Sequence, residues 1–112
     1  MGAKLSSRSG APVKFPLIER RVSPEALSDL FDHLATLLAS GISLLAALDF
    51  VRPATRSKRL TKALEHATAQ IRSGAQLSEA LGEEPGIFDR VVIGMLRAAE
   101  ASGQLETVLK EL

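Results

Sequence analysis

Between Ser23 and Leu112, apolar residues return every three or four positions, and serine or glycine breaks the runs at short intervals. That period is helical, and the breaks keep each helix short. Leu27, Leu30, Phe31, Leu34, Leu37 and Leu38 form the first stripe. Ser23 is a good N-cap, and Pro24 suits the first helical position, where its missing N–H costs nothing. Glu25 and Asp29 favour the positive end of the helix dipole. Gly41 stops this helix, with a positive φ expected. Ser43 then caps a second helix through Leu44, Leu48 and Val51, which Pro53 ends. The two helices are joined by only two or three residues and must be neighbours.

The basic segment from Arg56 to Arg59 leads into a third helix, whose inner face is Leu60, Leu64, Ala67 and Ile71. Thr61, Glu65, Thr68 and Arg72 are assigned to its outer side. Gly74 ends it, and Ser78 is read as the cap of a short fourth helix, with Leu77 and Leu81 available for a hydrophobic staple. After the turn around Pro85, a fifth helix begins near Asp89 and directs Val91, Val92, Met95, Leu96 and Ala99 inward, with Ile93 off the stripe. Gly103 breaks the chain again. Leu105, Val108, Leu109 and Leu112 begin a sixth helix that the sequence cuts short. The expected fold is all-α, a compact antiparallel bundle of about six short helices.

Composition agrees. Leu and Ala dominate the 46% hydrophobic residues, and the only aromatics are Phe15, Phe31, Phe50 and Phe88. Strands favour aromatic and β-branched residues, helices Leu and Ala. Residues 1–21 lack sustained periodicity and read as a flexible linker or expression remnant, leaving 22–112 as the domain. There is no cysteine, which excludes disulfides and thiolate chemistry. The stretch from Leu34 to Val51 is too interrupted for a membrane span, and the first residues lack the apolar run of a signal peptide. A soluble cytoplasmic polypeptide is expected. Net charge is only +1, but unevenly spread. Arg52, Arg56, Lys58, Arg59 and Lys62 form a basic cluster, whereas from Glu79 onward seven acids stand against Arg90, Arg97 and Lys110. Such asymmetry suits docking on a partner or an anionic surface.

Reactive constellations are hard to assemble. His33 and His66 lie on different helices without paired zinc-ligand spacing. The serines are accounted for as caps, and no Gly-rich phosphate loop is present. Glu100 with nearby acids is the one candidate for a divalent cation, calcium being the natural choice for carboxylate oxygens. A metal-binding regulatory domain is therefore one alternative. A nucleic-acid adaptor is a weaker one, because the second helix offers one acid and no base to a DNA groove. What remains is apolar and basic surface beyond the stripes. Leu45, Phe50, Arg56, Lys58, Arg59 and Ile93 are the candidate contacts with partners or a second copy.

Three stretches resemble one known family. Leu34-Ala35-Thr36-Leu37-Leu38-Ala39-Ser40-Gly41-Ile42-Ser43-Leu44-Leu45-Ala46-Ala47-Leu48 resembles the opening motif of the type II secretion system F domain. Gly74-Ala75-Gln76-Leu77-Ser78-Glu79-Ala80-Leu81, with Pro85 and Phe88 following, is similar to its middle motif. Glu100-Ala101-Ser102-Gly103-Gln104-Leu105 with Val108 and Leu109 is similar to its closing one. The three occur in the family's order and cover residues 23 to 112. Two positions depart from the pattern. Ala99 stands where the family has Gly before the glutamate, implying looser backbone packing there. Phe31, Asp32 and His33 replace a Thr-Arg-Gln run, implying an altered surface. The resemblance implies a non-catalytic scaffold and docking domain without cofactor. It would be the first cytoplasmic domain of a multi-pass inner-membrane platform protein for type II secretion or type IV pilus assembly. Such a domain would pair with itself and contact the cytoplasmic assembly ATPase and other platform proteins, with membrane attachment supplied by segments outside this chain.

Overall fold

The computed structural model describes residues 22–112; the linker expected over residues 1–21 lies outside them. The described residues are helical throughout, without a strand. In order they form α1 (Pro24–Ala39), α2 (Leu44–Val51), a single 3-10 turn (Arg52–Ala54), α3 (Lys58–Arg72), α4 (Leu77–Gly82), α5 (Arg90–Ser102) and α6 (Leu105–Glu111). Helix α2 packs on α1 and α3, α4 on α3 and α5, and α6 returns to lie along α1. First and last helices thus close the bundle.

Local chemistry explains the boundaries. Side chains of Ser23, Ser43, Ser57 and Asp89 accept N–H bonds from the first turns of α1, α2, α3 and α5 at 2.9–3.2 Å. Each satisfies a donor that the helix itself cannot. Gly41, Gly74 and Gly103 end α1, α3 and α5 with φ of 90°, 113° and 73°. At the first, Gly41 N–H donates to the Leu38 carbonyl and Ile42 N–H to that of Leu37. The same pair of bonds recurs at Gly74 and Ala75, the left-handed ending that side chains with a Cβ resist.

The core is built of leucine. Leu34, Leu48, Leu60, Leu64, Leu96 and Leu109 are fully buried, and each contributes about 1.5–3 kcal/mol of apolar transfer. Phe31 meets Phe88 with ring centroids 5.9 Å apart, fastening α1 to the turn before α5.

Five local expectations are corrected. Thr68 is buried, 2% exposed, because it stands four residues after Leu64, only about 40° round the helix from it. Val91 is 70% exposed: five residues before Leu96, it lies about 140° away from the inner face. Ile93, three residues before Leu96, shares that face and packs against the core. The cap of α4 is Gln76, not Ser78: Glu79 reaches back to accept the Gln76 N–H at 3.0 Å, and the helix begins at Leu77. Pro53 lies within the 3-10 turn that extends α2, and Val51 is the last α-helical residue.

Candidate functional site

The three sequence motifs are far apart in the chain, yet their turns come together. The ending of α1 at Gly41, the start of α4 at Gln76 and the ending of α5 at Gly103 surround one open cleft of about 630 Å³. Its apolar lining is Leu38, Ile42, Leu44, Leu77, Ala99 and Leu105, with Ser43 and Gln76 as polar neighbours. Glu100 and Glu106 are its charged lining groups.

Glu100 ties two of these motifs directly. Ser78 N–H donates to Glu100 Oε2 at 2.8 Å, and the Ser78 hydroxyl donates to Oε1 at 2.6 Å. A carboxylate from the end of α5 therefore satisfies an orphan donor in the first turn of α4 and complements its dipole. Both oxygens of the residue considered from sequence as a cation ligand are engaged in this way. Among the described residues, no group of three or more His, Asp or Glu side chains gathers into a metal-holding cluster. Ala99, just before Glu100, is 2% exposed and forms part of the cleft wall.

The contacts proposed from sequence lie elsewhere and are not gathered into one patch. Phe50 is 69% exposed and lips a small apolar pocket of about 90 Å³ with His33, Thr36 and Leu37. Next to it, a cleft of about 500 Å³ runs between the start of α1 and the α2–α3 connection, and Glu25, Asp29 and Arg56 are among its lining residues. Leu45 is half-buried and Lys58 exposed. Arg59 is half-buried and donates to the Pro85 carbonyl, so it fastens α3 to the α4–α5 turn. That turn is held twice more: His66 Nδ1 lies 2.6 Å from Glu84 Oε2, and Gln70 donates to Glu83 at 2.6 Å. Arg52 pairs with Asp49 within the end of α2 at 3.1 Å, and Arg72 reaches the same carboxylate from α3 at 3.4 Å, joining α2 to α3. Within the basic cluster, Arg59 thus holds two elements together and Arg52 pairs within its own helix end.

Sequence reasoning overlooked the partnership of Ser78 with Glu100, since nothing in local spacing marks a contact across 22 positions. The cap of α4 did carry a local mark, the Gln76-x-x-Glu79 spacing of a capping box. No helix of the described residues is long and apolar enough to cross a membrane.

Comparison with known proteins places this arrangement. The family model of type II secretion system (T2SS), protein F, matches residues 30–112. The type IV pilus assembly protein PilC of Thermus thermophilus is 32% identical over 102 residues, covering 91% of this chain and 25% of that protein. The type II secretion system protein F of Vibrio cholerae is 34% identical over 94 residues, covering 84% of this chain and 23% of that protein. The homologous protein F of Xanthomonas campestris is 29% identical over 108 residues, covering 96% and 27%. The chain spans about a quarter of the length of these curated relatives. These relatives are named for type II secretion and type IV pilus assembly, and the chain is an all-helical domain similar to one part of each. The chain belongs to the type II secretion system protein F family.

Proposed function

We propose that this chain is a non-catalytic docking and scaffold domain of an inner-membrane platform protein, placed on the cytoplasmic side. There it contacts the assembly ATPase and neighbouring components of a secretion or pilus machine. One observation carries the reading: each of the three stretches that resemble the family motifs contains a helix terminus, and those termini surround one open, largely apolar cleft. Residues with this job shape a surface. Membrane attachment is assigned to parts of the protein beyond this chain, and self-pairing to the exposed Phe50 side.

Immobilised assembly ATPase from the same system should retain the purified chain. Substituting Leu44→Asp on the cleft wall should abolish retention while leaving the helical circular dichroism spectrum intact. Equal retention of parent and variant would sink the assignment of docking to the cleft. Lack of retention of the parent, under salt conditions in which the intact machine assembles, would sink the ATPase as partner.

A further inference from the structure

Resting on that docking reading, we infer that the cleft between the α1, α4 and α5 ends receives a partner segment that is both apolar and positively charged, with Glu106 as its charge partner. The larger part of the lining is apolar, with Leu38, Ile42, Leu44 and Leu105 half-buried at the surface and Ser43 and Gln76 the polar side chains beside them. The charge of the lining has one sign. Glu100 and Glu106 are both acidic, and no lysine or arginine lines the cleft. The two carboxylates are not equivalent. Glu100 is bound through both oxygens to Ser78. Glu106 is exposed at the start of α6, and among the described residues it has no ion-pair partner, Lys110 one turn on included.

Other occupants fare worse on the same physics. An acidic segment would bring a third carboxylate beside two, against low-dielectric walls, a juxtaposition that interfaces use to reject wrong partners. A purely apolar segment would strip water from Glu106 without replacing it. A lysine or arginine on an apolar segment satisfies both demands, because its aliphatic stem lies along the leucines while its head group reaches the rim. The volume, about 630 Å³, suits a few side chains of a peptide segment.

The test uses the whole chain, labelled with nitrogen-15, and three synthetic peptides: leucine–lysine, leucine–glutamate and serine–lysine. Leucine–lysine should shift the amide resonances of Ile42, Leu44, Leu77, Gly103 and Leu105, and the other two should not. Glu106→Gln should lower the affinity roughly two- to fivefold and Glu106→Lys roughly tenfold, in the range of a rim ion pair and its reversal. Added salt should weaken binding in the same direction. Equal shifts with the leucine–glutamate peptide would overturn the inference. So would shifts away from the cleft, no response to any peptide, or shifts that follow chain concentration without peptide and so mark a second copy. The ATPase retention assay separates the two readings. Retention lost by Leu44→Asp but unchanged by Glu106→Lys leaves docking standing and removes the basic partner. Peptide binding that needs Glu106, with no retention at all, does the reverse.

Discussion

Glu100 stands near the end of one helix and serves the beginning of another, so its removal acts on two elements at once. Glu100→Ala leaves the fully buried Ser78 hydroxyl and its N–H without their acceptor. The expected loss is about 1.5–3 kcal/mol, the range for hydrogen bonds to a charged group. Ser78→Ala keeps the N–H contact and should cost about 1 kcal/mol. Combined, the two should cost less than their sum, because each removes part of one interaction. Urea unfolding of the four proteins in this cycle measures the coupling, and strict additivity would show that the contact contributes nothing. Thr68 offers the opposite case. Its hydroxyl is buried without a hydrogen-bond partner, so Thr68→Val keeps the shape and removes an unsatisfied group. Its midpoint should equal or exceed the parent's, by up to about 1 kcal/mol. A clear loss would mean that the hydroxyl is bonded in solution.

Helix ends decide what was legible at the scale of the element. Ser23, Ser43 and Asp89 could be read as starts, and Gly41, Gly74 and Gly103 as stops, because caps and left-handed glycines are local chemistry. Faces were harder. Residue type puts Thr68 outside and Val91 inside, whereas the angle from Leu64 or Leu96 decides burial. At Thr68 the buried stripe is wider than the residues used to define it, and at Val91 it is narrower. The cleft was not legible at all, since its walls come from three turns brought together only by packing. Gly94 tests the element reading in another way. It sits in the middle of α5, and a Cβ there would meet nothing within 4 Å. Gly94→Ala should therefore stabilise the chain by about 0.5–1 kcal/mol. Gly103→Ala, which forces a side chain into φ of 73°, should destabilise by about 1 kcal/mol. Thermal unfolding followed at 222 nm compares the two, and equal effects would show that helix position does not govern these glycines.

At the scale of the molecule, closure depends on α6 returning to α1, a contact between the two ends of the described chain. Such long-range packing carries the loop-closure cost of everything between, and its reward comes only when both helices are present. Leu109 concentrates that reward: it is fully buried in a seven-residue helix too short to persist alone. Leu109→Ala should thus cost about 2–5 kcal/mol, the range for emptying a leucine site in a packed core. A domain of this size has only about 5–15 kcal/mol to lose, and small ones lie at the low end. Phe50→Ser is the control, a larger chemical change at a site 69% exposed, and should move stability by less than about 0.5 kcal/mol. Denaturant midpoints of the two variants, measured side by side, rank burial against side-chain size. If Leu109→Ala unfolds no earlier than Phe50→Ser, α6 is a loose appendage and the cleft it walls is not a fixed surface. If it unfolds earlier, and α1 and α6 lose amide protection together, closure and cleft rest on the same leucine.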